Sequence, residues 1–121
     1  MTAAVWIGVG VVSGTGAVLR FLLHIAVQRS TASEFPFGTL AVNVLGSLVL
    51  GVLHGAGVTG DALLLTGTAL LGSFTTFSAW MAETESLRAR RKGGLAAANV
   101  LVGLALGLAA VALGWTLGAA F

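Results

Sequence analysis

Charge is scarce in this chain, cysteine is absent, and proline occurs once: 8% of the 121 residues are charged, whereas 57% are hydrophobic. Soluble domains carry about 25% charged residues, so this chain cannot wet the surface of a globule. Without cysteine, neither a disulfide framework nor a thiolate metal site can be built. The hydrophobicity itself excludes disorder. Catalytic patterns are missing too: no HExxH, no Ser/His/Asp arrangement and no paired intramembrane carboxylates occur. Gly8-Val9-Gly10 and Gly14-Thr15-Gly16 do not complete a dinucleotide-binding motif and follow no strand. No enzyme is expected.

The ten charges divide the chain into four uncharged stretches, at 1–19, 35–60, 62–82 and 93–121. Each is close to or above the roughly 20 residues that a membrane-crossing helix needs. The expected architecture is all-α, a single four-span membrane domain over 1–121 with spans near 4–23, 38–55, 62–81 and 95–119. The first stretch lacks a basic n-region and a clear cleavage site, so it is expected to be a span and not a removed signal. Pro36, which lacks a backbone donor, suits the start of the second span. His24 and His54 sit near span ends and are expected to be plain interfacial residues.

Eighteen glycines have almost no linkers to occupy. Gly10/Gly14, Gly51/Gly55, Gly103/Gly107 and Gly114/Gly118 form GxxxG pairs, which let helix backbones approach closely in lipid. One four-helix subunit offers few faces for them all, so oligomerisation is expected. Basic residues are distributed unevenly. Four spans place both termini and the Gly55–Asp61 turn on one side, which carries no Lys or Arg. The other side carries Arg29, Arg88, Arg90, Arg91 and Lys92, with Arg20 at its edge. The positive-inside rule puts both long connectors in the cytoplasm and both termini outside. The high pI of about 10.6 thus reads as a membrane-side loop and not as a nucleic-acid surface.

Polar residues inside the spans are the candidates for function. Gly72–Ser78 places a glycine and four hydroxyls in the middle of the third span, where they weaken the helix. Carbonyls freed by a break there can coordinate a monovalent cation. The alternative is that the hydroxyls bond back to the preceding turn and merely bend it. Asn43, within the second span, is either interhelical glue or a donor to a desolvated anion. Asn99 in the fourth span has the same two readings. Phe77 and Trp80 share a helix face. They are core filler or lipid-facing rings, or a row of positive ring edges that a small anion can pass. Arg20 and Glu83 flank the spans as snorkelling or vestibule charges.

Three blocks together resemble the CrcB/Fluc family of fluoride channels: Gly14-Thr15-Gly16-Ala17-Val18-Leu19-Arg20, Phe35-Pro36-Phe37-Gly38-Thr39-Leu40-Ala41-Val42-Asn43-Val44-Leu45-Gly46-Ser47, and Gly72-Ser73-Phe74-Thr75-Thr76-Phe77-Ser78. The resemblance runs to Glu83. It implies passive export of fluoride through an antiparallel dimer of four-helix subunits, with pores at the interface. It also implies a structural, non-transported Na⁺ held by main-chain carbonyls, by motif those of Gly72 and Thr75. Asn43, Phe77 and Ser78 would line the path, Trp80 would take the place of the second pore ring, and Arg20 and Glu83 would match vestibule charges.

Two departures accompany the match. Where the family pattern continues Thr-Thr-Phe-Ser-Thr-Phe, this chain has Ala79 and Trp80, and its fourth span carries only Thr116 as a hydroxyl. A subunit that inserts both ways needs balanced basic residues, whereas the count here is five to zero. Of the two partners the resemblance allows, itself or a homologous, oppositely oriented subunit, the charge bias favours the second, as in the unlike pairs of the family, with only one well-formed pore expected. The alternatives are a weakly conducting partner subunit, a small four-span exporter and a membrane scaffold. An exporter of that kind needs a carboxylate in the first span, and there is none. A scaffold leaves Asn43 and the Thr75–Ser78 block unexplained.

Overall fold

A computed structural model describes residues 2–121. It is all-helical, with no strand among the described residues. Helix α1 covers Ala3–Thr31 and α2 covers Phe37–Gly55. The third crossing is assembled from α3 (Gly60–Leu63), a π-helical segment (Leu64–Leu71), α4 (Gly72–Phe74) and α5 (Phe77–Ala89). Helix α6 covers Gly93–Ala119. All four crossings are long and apolar enough to span a membrane.

The helices start and stop for local reasons. The Thr2 hydroxyl caps α1 by accepting from the Val5 amide. At its other end Ala32 turns into the left-handed region (φ 47°) and its amide bonds the Gln28 carbonyl. Pro36 stands immediately before α2, as expected. It has no side chain to cap with, and Gln28 acts in its place: Oε1 accepts from the Gly38 amide at 2.9 Å while Nε2 donates to the carbonyls of Ser33 and Phe35. One side chain of α1 thus fixes the entire connector to α2.

Two helices run past their expected ends. The first continues beyond Leu23 to Thr31, and the third beyond Met81 to Ala89. Leu87, 1% exposed, anchors the second extension in the core. The chain therefore stays helical through Glu83, which lies on a helix and not in a connector. Lys92 pairs with Glu34, so the first and third connectors meet at the same end of the molecule. Hydrogen bonding and attraction from Lys92 hold the Glu34 carboxyl below the usual carboxylate range.

Helices α2 and α6 share the most extensive contact. A Cβ on Gly51 would strike the Val111 carbonyl, one on Gly55 the Trp115 carbonyl, one on Gly114 the Leu48 carbonyl and one on Gly118 the Val52 carbonyl. Two of the four GxxxG pairs therefore interlock within the subunit. Gly103 receives the Trp80 ring, whereas Gly10 and Gly14 face open space. Large apolar side chains such as Phe21, Leu101 and Leu108 stay exposed, as lipid-facing surfaces require.

Candidate functional site at the broken third helix

Thr75 (φ −85°, ψ 160°) and Thr76 (φ −147°, ψ 120°) are extended, so the third crossing is interrupted between α4 and α5. The hydroxyl-rich segment does more than bend. Ser73 and Thr75 bond back to the carbonyls of Ala69 and Leu71, at 2.8 Å each, and the backbone nevertheless breaks at Thr75. The π-helical turn before the break has no clear sequence signal. Gly46 makes room for the break itself: a Cβ there would strike the Thr75 methyl.

The break takes the helical partners from the carbonyls of residues 72–75, Gly72 and Thr75 among them. In an unbroken helix the Thr76 amide would bond Gly72 and the Ala79 amide would bond Thr75. Here the Thr76 amide donates to Asn43 Oδ1 at 2.8 Å, and the Ala79 amide donates to the Thr76 hydroxyl at 3.1 Å. Gly72 and Thr75 are the residues expected to offer main-chain oxygen to a cation. Gly72 is exposed, and a Cβ there meets nothing within 4 Å. Among the described residues no three His, Asp or Glu side chains converge, so a metal ion here would have to use such main-chain oxygens. Unwound main-chain carbonyls are donors of the kind that suit hard monovalent cations.

Asn43 braces the same break. Its Nδ2 donates to the Thr76 carbonyl at 2.9 Å while its Oδ1 accepts the Thr76 amide. One hydrogen of the amide remains for another acceptor. Asn43, Gly72, Thr75, Phe77 and Trp80 all line one open cavity of about 420 Å³. Phe77 projects from the subunit with 70% of its surface exposed and meets Trp80 edge-on, with ring centroids 5.8 Å apart at 87°.

Trp80 differs from the simplest expectation in one respect. Its indole N–H is not free toward the path but bonds the Asn99 carbonyl at 2.9 Å. Asn99, 1% exposed, returns bonds to the Trp80 carbonyl and to the Thr84 hydroxyl. Asn99 is thus interhelical glue between α5 and α6, which decides its two readings. Thr116 bonds back to the Leu113 carbonyl.

A second cavity of about 480 Å³ brings together Arg20, Thr39, Ser78 and Glu83. Thr39, 1% exposed, donates to Glu83 Oε1 at 2.7 Å. Sequence reasoning did not single out Thr39 or His24. Thr39 was visible only as the residue one turn before Asn43. His24, expected at a membrane interface, lies against the start of α2, with Nδ1 3.4 Å from the Thr39 hydroxyl. The continued helicity of α1 and the close approach of α2 put it there.

The family model described as "CrcB-like protein, Camphor Resistance (CrcB)" matches residues 7–115. "Fluoride-specific ion channel FluC 2" of Mycobacterium tuberculosis (strain ATCC 25618 / H37Rv) is 49% identical over 114 residues, covering 94% of this chain and 90% of the relative. "Fluoride-specific ion channel FluC 2" of Haloarcula marismortui is 48% identical over 107 residues, covering 88% and 87%. "Fluoride-specific ion channel FluC" of Shewanella sp. (strain ANA-3) is 43% identical over 103 residues, covering 82% and 83%.

Proposed function

Because this chain belongs to the CrcB family, we propose that it is a subunit of a fluoride-selective channel that lets F⁻ leave the cytoplasm passively. Its relatives are named as ion channels, and the chain is not an enzyme. It is a multi-pass membrane protein with four crossings. HF enters a cell as a neutral acid and ionises inside, and a potential that is negative inside drives the anion out through a selective pore. Selectivity then depends on replacing water around F⁻ with fixed donors in a confined track.

The observation that carries this reading is the break at Thr75–Thr76, which lies within the matched residues 7–115 and has the Asn43 amide on one side and exposed Phe77 on the other. Arg20 and Glu83 form the vestibule, Ser78 and the second Asn43 hydrogen contact the ion, and the ring edges of Phe77 and Trp80 border the path. Trp80 contributes its C–H edge alone, since Asn99 holds its N–H. A structural Na⁺ on the carbonyls of Gly72 and Thr75 would supply fixed positive charge beside an anion path; it is not transported.

The exposed Gly72 and Phe77 support completion of the site by an antiparallel second subunit. The five-to-zero basic count supports a homologous partner of opposite orientation, with this chain's termini outside the cell membrane and its basic connectors inside. The pairing of Glu34 with Lys92 supports the grouping of those connectors at one end. A second reading, a weakly conducting partner subunit, draws on the occupied Trp80 N–H and the back-bonded Thr116.

The test is valinomycin-triggered halide efflux from KF- or KCl-loaded liposomes holding this chain, alone or with an adjacent homologous subunit. Fluoride release without chloride release is expected. Absence of fluoride release in both formats, from folded protein with Na⁺ present, would withdraw the roles of Asn43, Phe77 and Trp80.

A further inference from the structure

Resting on the channel reading above, we infer that His24 is a positioning residue for the vestibule: through the Thr39 hydroxyl it sets the orientation and protonation of Glu83, and so makes fluoride conduction depend on pH. The contact is built into the crossing of α1 and α2. A Cβ on Gly38 would lie 2.6 Å from the His24 carbonyl oxygen and 2.9 Å from His24 Nδ1, so only glycine lets α2 start directly on this ring. Thr39 follows immediately, placing its hydroxyl 3.4 Å from His24 Nδ1 and 2.7 Å from Glu83 Oε1.

The hydroxyl has one proton. If it donates to an ionised Glu83, His24 Nδ1 must be the donor to Thr39. If the hydroxyl instead donates to Nδ1, Glu83 must carry a proton and donate to Thr39. The two arrangements interconvert as the Nδ1 proton moves to the Thr39 oxygen and the Thr39 proton moves to Glu83 Oε1. An imidazolium–carboxylate pair becomes a neutral imidazole and a carboxylic acid, with every proton conserved.

Glu83 gives the switch something to act on. Its second oxygen, Oε2, is buried and has no hydrogen-bond partner, an arrangement that is costly for an ionised carboxylate. His24 and Glu83 both line the cavity that leads toward Ser78 and the break, and both line a smaller one of about 200 Å³ at the basic end. The pair therefore stands between the charged end and the path. The charged groups around it are Arg20 on α1, Glu34 on the first connector (paired with Lys92 ahead of α6) and Arg90 just past α5. Helix α2 contributes no charged side chain to either cavity.

Histidine is the side chain whose charge changes between pH 5 and 8. In acid, a proton taken up by His24 compensates the Glu83 carboxylate in either arrangement. An anion then meets Arg20 and Arg90 without an opposing net negative charge. Fluoride current is expected to rise about three- to fivefold between pH 8 and pH 6, the size of effect that one partly screened charge exerts nearby.

The experiment is fluoride current in planar bilayers, which neutral HF does not carry, recorded with the oppositely oriented partner where the chain requires one. Alongside it, ¹⁵N-histidine NMR of the same protein in liposomes follows His24, with His54→Gln used to assign the second ring. Wild type is expected to show the acid rise and a protonated Nδ1 at pH 8. His24→Asn, which keeps a donor but does not titrate, is expected to conduct at one level across the range, and His24→Leu well below it. Glu83→Gln is expected to move the His24 titration, and Thr39→Val to disconnect it. A wild-type pH profile in His24→Asn overturns the inference, as does an identical His24 titration in all three backgrounds. Absence of current at every pH overturns the channel reading and the effect on conduction, whereas the NMR titration still decides whether Thr39 couples the two groups.

Discussion

A single amide at Asn43 both accepts from and donates to the main chain of Thr76, closing the break on one side. Asn43→Leu removes both bonds and leaves the Thr76 amide and carbonyl unmatched in an apolar setting. A loss of about 2–4 kcal/mol is expected from two such groups. It would appear as a lower unfolding midpoint in detergent, together with lost fluoride efflux. Trp80→Phe is a milder change: it restores the family ring but removes the bond to the Asn99 carbonyl. The expected loss is about 1 kcal/mol, with efflux retained or increased if the ring edge alone borders the path. Asn99→Leu, by contrast, is expected to destabilise more than Trp80→Phe, since it strips the Trp80 carbonyl and Thr84 of a buried donor.

Among the elements, the glycine pairs divide into two kinds. Gly114 lies against the Leu48 carbonyl, so Gly114→Leu forces α2 and α6 apart. That variant is expected to lose the folded subunit, read as aggregation on size-exclusion chromatography. Gly10 has nothing within 4 Å, so Gly10→Leu leaves the subunit intact. Any drop it causes in dimer formation, read by cross-linking in liposomes, would mark the face of α1 that meets another subunit. The spacing of glycines in the sequence showed that helices approach closely, but all four pairs look alike there. Which pair faces a neighbour depends on helix rotation, and that follows from the packing of distant residues such as Trp115 and Val111. The room made for the break was hidden for the same reason, because it lies in α2 at Gly46 and not in residues 72–78.

For the molecule as a whole, the proposed orientation follows from the distribution of basic residues. Replacing Arg90 and Arg91 with Gln, and placing Lys at Val58 and Thr59, moves positive charge to the opposite end. Inverted subunits are expected to appear in quantity. The absence of native cysteine gives a clean assay: one cysteine placed near the C-terminus reports its side through an impermeant thiol reagent. An unchanged single orientation in that variant would show that something other than loop charge directs this chain.

Some of this protein was fixed by chemistry that acts on each stretch of sequence separately. Four apolar runs must be helices in lipid, because no other local structure satisfies their backbone. Gly72 and the hydroxyls after it weaken the third run wherever it packs, and a cluster of basic residues biases one end wherever the helices lie. The rest needed helices to meet. Asn43 became a clamp because Thr76 lies across from it, Asn99 became glue because Trp80 reaches it, and His24 met the start of α2 because Gly38 admits that helix onto its ring. Such contacts join residues far apart in the chain, with geometry set by close packing between helices, and no local pattern carries that information.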